Sequence, residues 1–593
     1  MSKKKELSYE DYSEIRKQGQ ADGVVPEWMA SAGLQMFMKK YLYAADNPKE
    51  QFERIAKTVS EYAPIMLSPQ DELVEVKDRN GFKDYWYGKF FNVLWKGYLA
   101  GSTPILSNVG TDRGLPISCS GGIPVGDSIA GFYEAFKEVA LLSQQGFGTA
   151  VDLSNIRPRG AFFKGGGVCT GVIPVVESLV QTTRNVSQGS QRRGSVGCYL
   201  DIEHGDFYEL AEYLEMHPDD LNVGWIVRDS FITKLQKGKR DALKRFQHVL
   251  YVKSLNGKGY IHFIDKSERL KPEAYTKNDL SVSASNLCSE IMLHSDEDET
   301  YICCLSWMNL SKYDEWKDTD AVFVATVFLD CIISYFIDRA KGIKGLEKAV
   351  RSAERGRPLG LGTGGFNTLL QQRMLDPEGM ETHTLNNEIF EKIHNESLEA
   401  SKALAVAEGE PLYCKGLGVR NTHRTAVAPT KSTALIYGGV SEGCMFDVAM
   451  SFTQSTPAGE VARVNPTLLK IIKSKGLNVE QCIADVHKKK GSVQHVSWLT
   501  PFEKKVFKTA FEIDKKVVLR LAAARQKHLC QGQSLNLAFD SKATEEQISE
   551  IYQIAFMNPN IIAVYYQMGM RGLMDDEDDV QVIAEPIGCE SCE

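Results

Sequence analysis

This sequence of 593 residues has no excess of positive charge. Its 69 Lys and Arg are outnumbered by 77 Asp and Glu, which gives a net charge of -8. The balance excludes the basic surface that binds nucleic-acid backbones. The start, MSKKKELSYEDYSE, lacks the apolar core of a signal or transit peptide. The longest apolar run, residues 321–337, is short for a membrane span and carries Asp330. We expect a cytoplasmic protein that binds neither nucleic acid nor membrane.

A disulfide framework is also missing, because 13 cysteines are scattered along a chain without a secretion signal. Most of them are predicted to be buried thiols. The exceptions are Cys589 and Cys592, which end the chain in IGCESCE. A zinc site is one interpretation of this CxxC pair, but it needs two further ligands, and the sequence has neither a second CxxC nor a paired His.

The pattern of apolar and polar residues changes along the chain. Residues 1–100 show apolar positions three and four apart and are predicted to be a helical N-terminal region. In residues 101–570 short apolar runs alternate with amphipathic stretches, which predicts an α/β sheet or barrel. After MDDEDD the periodicity disappears, so residues 571–593 are predicted to be a flexible tail.

Three glycine-rich stretches invite a nucleotide-binding interpretation. GLGTGG, residues 360–365, has the spacing of a dinucleotide fingerprint, but RSAERGRP precedes it where that fingerprint needs a strand. FKGGGV and SQGSQRRGSV place cations beside flexible loops, which suits an anionic ligand. Solvated turns are the alternative interpretation of both loops.

The stretch SASNLCSEI contains three candidate reactive side chains. Asn286, Cys288 and Glu290 alternate, so an extended segment would place all three side chains on one face. A thiol, a carboxylate and an amide on one face supply a hydrogen acceptor, a general base and an orienting group. The alternative is a buried structural cysteine beside a surface glutamate.

Other short motifs add to this one. LPISCS places Cys119 at the end of an apolar run, and YICCLSWMNL places Cys303 and Cys304 on a strand-like run. IIAVYYQ places Tyr565 and Tyr566 side by side in another apolar run. In this order, from about Thr103 to the C-terminus, the motifs resemble those of the catalytic large subunit of class I ribonucleotide reductase.

The resemblance implies a ten-stranded α/β barrel with a central finger loop. Cys288 at the loop tip would carry a thiyl radical and remove the 3′ hydrogen of a ribonucleotide. Glu290 would take the 3′ hydroxyl proton, and Asn286 would hold the ribose. Cys119 and Cys303 would supply two reducing equivalents and end as a disulfide, with Cys119 protonating the leaving 2′ hydroxyl. The neighbouring Cys304 leaves a one-residue ambiguity, in which matching the family's LS and NL favours Cys303.

The same resemblance gives roles to the tail and to the tyrosine pair. Cys589 and Cys592 would carry electrons to the buried disulfide and be recharged by thioredoxin or glutaredoxin. Tyr565 and Tyr566 would relay the radical from a ferritin-like, metal-containing small subunit, so this chain would bind no metal or cofactor itself. The adenosylcobalamin-dependent reductase, which shares the cysteines and a CxxC tail but does not need the tyrosine pair, is the alternative.

The remaining motifs resemble the family's nucleotide sites. The diphosphate of the substrate, a ribonucleoside diphosphate, would lie on APTKSTA, with Thr103 and Ser118 lining the same pocket. The residues of that turn nearest the phosphates would be Lys431, Ser432 and Thr433. The allosteric effectors, ATP, dATP, dTTP or dGTP, would contact Asp127, Ser128, Arg157 and Lys164. Loop 187–196 would report the effector through Gln188, Arg192 and Arg193.

Two further expectations concern regulation. About 100 residues precede GSTPILS, and they do not resemble the ATP cone that controls overall activity in many relatives. We therefore expect dATP to act on specificity without shutting the enzyme off. A homodimer, which an effector induces or strengthens, is expected because the family's effector site lies at a dimer interface. A non-catalytic nucleotide-binding regulator is the alternative from another class, and it gives no reason for Glu290 or the tail dithiol.

Overall fold

The computed structural model describes residues 7–71, 74–186, 194–456 and 459–569, without the side chains of residues 453–463. Its helices, in chain order, are α1 (Tyr9–Ala21), α2 (Ser31–Met36), α3 (Pro48–Ser60), α4 (Arg79–Trp95), α5 (Thr103–Asn108), α6 (Ile129–Gln144), α7 (Ile173–Asn185), α8 (Phe207–Met216), α9 (Asp229–Gln236), α10 (Arg240–Asn256), α11 (Ile264–Leu270), α12 (Glu273–Lys277), α13 (Tyr313–Trp316), α14 (Ala321–Ala340), α15 (Glu347–Gly356), α16 (Phe366–Gln372), α17 (Met380–Glu408), α18 (Lys431–Ile436), α19 (Pro466–Ser474), α20 (Val479–Lys488), α21 (Pro501–Val506), α22 (Lys515–Gln526) and α23 (Glu545–Met557). The predicted helical N-terminal region is confirmed by α1 to α4.

The strands lie after this region. They are β1 (Leu99–Gly101), β2 (Cys119–Gly121), β3 (Ile123–Pro124), β4 (Thr149–Asp152), β5 (Val196–Asp201), β6 (Asn222–Val227), β7 (Tyr260–Phe263), β8 (Tyr301–Asn309), β9 (Leu359–Gly364), β10 (Ser451–Thr456), β11 (Gly459–Val464), β12 (Leu537–Phe539), β13 (Ala563–Val564) and β14 (Gln567–Gly569). Strands alternate with helices along the chain, so the predicted α/β class is confirmed.

The strands form two parallel halves. In the first half, the segment containing β2 and β3 is followed by β4, β5, β6 and β7 in parallel order. In the second half, β8 pairs with β9, and single bridges at Leu361–Thr425 and Val427–Gln533 continue the parallel order to the segment containing β12, which pairs with β14. Antiparallel pairing joins the halves at β2–β8 and at β7–β13. In the described part of the chain, ten strand segments therefore follow one another in a closed circuit, as in a ten-stranded barrel.

The long apolar run forms the core helix α14. Among the described residues this is the one helix long and apolar enough to cross a membrane, and 83% of its most apolar window is buried inside the protein. The helix packs against α4, α17 and β8. Asp330 in its middle is buried and bonds to Arg357 (2.8 Å) and Arg420 (3.0 Å). Pairing with two guanidinium groups satisfies a carboxylate that would otherwise be costly to bury.

The GLGTGG motif is not a phosphate-binding turn. Its first five residues belong to the buried strand β9, and helix α16 follows. A Cβ atom on Gly362 would lie 2.4 Å from the carbonyl oxygen of Ala426, and one on Gly364 would lie 2.5 Å from the ring of Trp307. These glycines allow close packing between strands, so they need no nucleotide to explain them.

Candidate active site

A loop of residues 283–295 lies inside the circuit of strands. The hydroxyl of Tyr199 in β5 donates to the carbonyl of Asn286 (2.7 Å), and that of Tyr301 in β8 donates to the carbonyl of Ala284 (3.2 Å). From the segment before β12, the N–H of Gly532 donates to the carbonyl of Glu290 (2.8 Å). Contacts from both halves of the barrel therefore hold the loop at the centre.

The predicted extended conformation of SASNLCSEI is wrong. The chain turns at Leu287 and Cys288, and Ser289 has a left-handed backbone with φ of 63°. The side-chain oxygen of Asn286 accepts hydrogen bonds from the N–H groups of Glu290 (3.2 Å) and Ile291 (3.3 Å). An asparagine that bonds to the backbone in this way stabilises a turn in place of a strand. Cys288 consequently lies at the tip of the loop.

The turn also organises the carboxylate of Glu290. The side-chain amide of Asn286 donates to Oε1 of Glu290 (3.0 Å), and the hydroxyl of Ser534 lies 3.2 Å from Oε2. The same hydroxyl lies 2.6 Å from the carbonyl oxygen of Cys288. Glu290 is 1% exposed. Burial, followed by the nearby Cys119, raises its pKa to about 8 although these hydrogen bonds act in the opposite direction. A carboxyl with a pKa near neutrality suits proton transfer.

Two cysteines face each other across the antiparallel pair β2–β8. Cys119 is the direct partner of Cys303 in this ladder, and burial together with Cys119 raises the pKa of Cys303. Cys304 points to the other side, where its thiol lies 3.7 Å from the carbonyl oxygen of Leu329 in α14. Alternation along β8 therefore separates the two neighbouring cysteines. The geometry brings Cys303, and not Cys304, beside Cys119.

Tyrosines connect the loop tip to the strand segment 563–569. The hydroxyl of Tyr565 lies 3.7 Å from the thiol of Cys288. The ring centroids of Tyr565 and Tyr566 are 4.0 Å apart. Tyr260 in β7 joins them, because its hydroxyl donates to the hydroxyl of Tyr566 (3.1 Å). All three rings are buried with Cys288 in one cluster. The arrangement is a continuous chain of oxidisable side chains.

A cavity with about 540 Å³ of empty space, part of it open to solvent, lies above Cys288 and Glu290. The predicted substrate residues all line it, together with Cys119. They are Thr103, Ser118, Lys431, Ser432 and Thr433. Thr430, just before α18, has a left-handed backbone with φ of 58°, and its hydroxyl accepts a bond from the N–H of Gly443 (2.9 Å). This contact fixes the turn at the rim of the cavity.

The sequence analysis missed several residues of this site. Ser102 and Ser306 are among the residues that line the cavity, and their hydroxyls are buried without a hydrogen-bond partner among the described residues. Tyr199, Tyr260 and Ser534 support the loop and the tyrosine pair. Ser102 directly precedes Thr103, and Ser306 lies within the motif YICCLSWMNL, so these two residues had a motif that could have drawn attention to them.

The predicted effector residues lie on the surface at the start of α6. Ser128 caps this helix by accepting the N–H of Gly131 (3.0 Å), and Arg157 forms an ion pair with Asp127. The guanidinium of Arg157 lies 4.7 Å above the ring of Phe163, and Lys164 follows in an exposed loop. The structure therefore brings Asp127, Ser128, Arg157 and the 161–168 loop together.

Five predicted residues lie outside the described part of the chain: Gln188, Arg192, Arg193, Cys589 and Cys592. Where side chains are described, no group of three or more His, Cys, Asp or Glu side chains could hold a metal ion. None of the 11 cysteines in that part forms a disulfide.

Comparison with known proteins adds to this geometry. The family model of the ribonucleotide reductase barrel domain matches residues 118–247, 234–414 and 413–566. The chain belongs to the ribonucleotide reductase family. It is 34% identical over 483 residues to a protein of Frog virus 3 (isolate Goorha) that is named as a ribonucleoside-diphosphate reductase large subunit, with 78% of this chain and 84% of that protein covered.

Other ribonucleotide reductases extend the comparison. The large subunit of Invertebrate iridescent virus 3 is 28% identical over 547 residues and covers 79% of this chain. The solved class Id ribonucleotide reductase alpha subunit of Actinobacillus ureae is 33% identical, with a TM-score of 0.81 over 92% of this chain and 98% of that one. These similarities support the class I interpretation over the adenosylcobalamin-dependent alternative.

Proposed function

We propose that the chain is the catalytic subunit of a class I ribonucleoside-diphosphate reductase, which makes deoxyribonucleotides for DNA synthesis. The observation that carries the proposal is the single cluster in which the Tyr565 hydroxyl lies 3.7 Å from the Cys288 thiol, with Glu290 and Cys119 lining the same cavity. An oxidisable chain that ends at a thiol, next to a carboxyl and a second thiol, matches reduction of a ribose by radical chemistry.

In the proposed reaction the Cys288 thiyl radical removes the 3′ hydrogen, and Glu290 takes the 3′ hydroxyl proton. Asn286 orients both Glu290 and the ribose. Cys119 gives a proton to the 2′ hydroxyl, which leaves as water. Cys119 and Cys303 supply the two electrons and become a disulfide, and the second thiol hydrogen replaces the hydroxyl at C2′. Glu290 returns its proton to the 3′ oxygen, and Cys288 returns the hydrogen to C3′ and regains the radical. The direct pairing of Cys119 with Cys303 across β2–β8 supports this step.

The radical and the reductant come from outside the barrel. We propose that a ferritin-like, metal-containing small subunit supplies the radical through Tyr566 and then Tyr565. Cys119 and Cys303 are each only 2% exposed, so a bulky reductase cannot reach them. Cys589 and Cys592 would carry electrons to the disulfide from thioredoxin or glutaredoxin. Reduced cysteines throughout the described residues, together with this thiol chemistry, suit the reducing cytoplasm.

Regulation would act at the surface around α6. The exposed side chains of Ile129 and Tyr133 lie one turn apart on α6, which begins next to the Asp127–Arg157 pair, and Phe162 is exposed beside Phe163, which contacts Arg157. Such exposed apolar side chains fit a protein interface. We propose that the chain forms a homodimer here and that ATP, dATP, dTTP or dGTP binds beside it, with Arg157 and Lys164 on the phosphates. Gln188, Arg192 and Arg193 would report the effector to the substrate.

The test is formation of dCDP from CDP with a dithiol reductant and an effector nucleotide, and with either a candidate small subunit or adenosylcobalamin. Product only with the small subunit, and none from Cys288→Ser or Tyr565→Phe, is the expected result. Product with adenosylcobalamin alone would contradict the proposed radical route.

A further inference from the structure

The stacked tyrosine pair requires an interruption in its strand. Neighbouring residues of a regular strand point to opposite faces, yet the rings of Tyr565 and Tyr566 have centroids 4.0 Å apart. The interruption is visible in the pairing, because β13 ends at Val564 and β14 begins at Gln567. The ladder with β7 ends at the pair Val564–Ile261. The two tyrosines therefore occupy the gap between two ladders.

Specific bonds hold the backbone in this gap. The N–H of Tyr565 donates to the carbonyl of Leu535 (2.8 Å), and the N–H of Tyr566 donates to the side-chain oxygen of Asn536 (3.1 Å). The carbonyl of Tyr566 accepts from the N–H of Leu537 (3.0 Å). The carbonyl of Tyr565 accepts from the side-chain nitrogen of Lys253 (2.7 Å). A side chain from α10 thus completes the bonding of the residue that contacts Cys288.

Lys253 is an unusual residue for this place. It is 1% exposed, and its other bond goes to the carbonyl of Gly259 (2.9 Å). Within the described residues, no carboxylate pairs with it. Burial lowers the pKa of Lys253 to about 7. Both the ammonium and the neutral amine have enough N–H groups to donate to the two carbonyls. Burying an amine without a counter-ion costs free energy. The presence of Lys253 at this place therefore indicates a role beyond packing.

We propose that Lys253 is a positioning residue for radical transfer, which holds the Tyr565 backbone so that its ring stacks on Tyr566 and its hydroxyl meets Cys288. The inference rests on the proposed function, because it concerns the route by which the radical reaches Cys288. Lys253 contacts neither the substrate cavity nor the thiol itself. Its effect is therefore expected on the radical step and not on substrate binding.

Lys266 in α11 provides a matched control. It is 3% exposed, and burial lowers its pKa to about 7. It donates to the carbonyls of Ala555 (2.9 Å), Asn558 (2.8 Å) and Ile561 (3.2 Å). Both lysines thus bind backbone carbonyls near one strand segment, but Lys266 bonds to none of the tyrosines. A purely structural role would make the two lysines equivalent.

The experiment compares Lys253→Met with Lys266→Met, in the full chain with its small subunit, by Tm and by kcat and KM for CDP. Lys253→Met is expected to lower kcat about tenfold or more, with KM for CDP within about twofold of the parent value. Lys266→Met is expected to lower Tm and to keep kcat. Lys253→Gln, whose amide can still donate to a carbonyl, is expected to recover part of kcat and replaces the methionine variant if that variant does not fold.

The inference is overturned if Lys253→Met or Lys253→Gln retains the kcat of Lys266→Met. It is also overturned if these variants raise KM for CDP and leave kcat unchanged. Tyr565→Phe separates this failure from failure of the proposed function. If Tyr565→Phe is inactive while the Lys253 variants are fully active, only the role of Lys253 is wrong. If Tyr565→Phe is active, the radical route itself is wrong, and the role of Lys253 is refuted with it.

Discussion

The interior of the barrel and the surface around α6 hold their polar side chains in different ways. Inside, Glu290 is bonded to Asn286, lies near Ser534, and is almost fully buried. On the surface, Arg157 is 39% exposed, pairs with Asp127 and lies over the ring of Phe163, and Lys164 lies in an exposed loop.

This difference indicates two kinds of site. The interior is organised before any substrate binds, so that reacting groups need little rearrangement. The surface has cations and apolar side chains that a nucleotide and a second subunit would cover. Substitutions inside are therefore expected to change the chemical step, and substitutions on the surface are expected to change its regulation.

The largest effect is expected for Cys288→Ser. The hydroxyl cannot replace the thiol as the radical carrier, so dCDP formation should fall to background. Cys198→Ser is the control, because Cys198 is a buried core cysteine of β5. It should lower Tm at most modestly and remain active. A Cys288→Ser variant that still makes dCDP would remove the interior site from the mechanism.

The next effect compares two adjacent cysteines. Cys303→Ser should abolish repeated turnover with the dithiol reductant, because Cys303 is the ladder partner of Cys119. Cys304→Ser should keep turnover, since Cys304 points toward α14. Multiple-turnover dCDP assays on both variants decide the matter. The reverse result would mean that Cys304 is the reducing partner.

Glu290→Gln should lower kcat by about 10²–10⁴-fold, the usual contribution of a general base. The carboxylate is the active form, and its pKa is about 8. The parent kcat/KM for CDP should therefore fall as the pH is lowered below about 8. A pH profile of dCDP formation measures both effects. Glu290→Gln should lose this dependence, and a variant that keeps the parent profile would exclude Glu290 as the base.

The smallest effect is expected at the surface. Arg157→Ala should raise the effector concentration for half-maximal activation about tenfold or more, because a hydrogen bond between charged groups contributes about 1.5–3 kcal/mol. Arg159→Ala is the matched control, since Arg159 lies nearby and pairs with Glu209 (2.8 Å). Titration of dCDP formation with dTTP and with dATP measures the effector concentration for half-maximal activation of each variant. Equal constants for the two variants would remove Arg157 from the effector site.

Local sequence patterns predicted elements that depend on neighbours in the chain. SIAGFYEAFKEVALLSQQ has the apolar periodicity of a helix, and it contains all of α6. Gly409 and Pro411 follow α17, which ends at Glu408, as expected for residues that stop a helix. The motif resemblance identified residues that line one cavity although they are distant in the sequence. These patterns work because helix faces and helix ends are set by short-range contacts.

Other features depend on contacts that no local pattern contains. The alternation in SASNLCSEI did not predict the turn at Cys288, because the turn depends on the side chain of Asn286 bonding to the backbone; the family resemblance did place Cys288 at a loop tip. In the sequence Tyr199 looks like an ordinary core residue and Lys253 looks like an exposed helix residue, and their importance comes from bonds to Asn286 and Tyr565. The alternation that was wrongly assigned to SASNLCSEI does apply to β8, where it separates Cys303 from Cys304.

The most direct test of the interior site is the disulfide that one turnover leaves behind. Pre-reduced chain carrying Cys589→Ser and Cys592→Ser, in which the tail can no longer reduce the active-site disulfide, would react with CDP, an effector and the small subunit without external reductant. It would then be alkylated under denaturing conditions and mapped by mass spectrometry. The account predicts a Cys119–Cys303 disulfide formed in proportion to dCDP, with Cys304 alkylated. A disulfide through Cys304, or dCDP formed while Cys119 and Cys303 stay reduced, would contradict it.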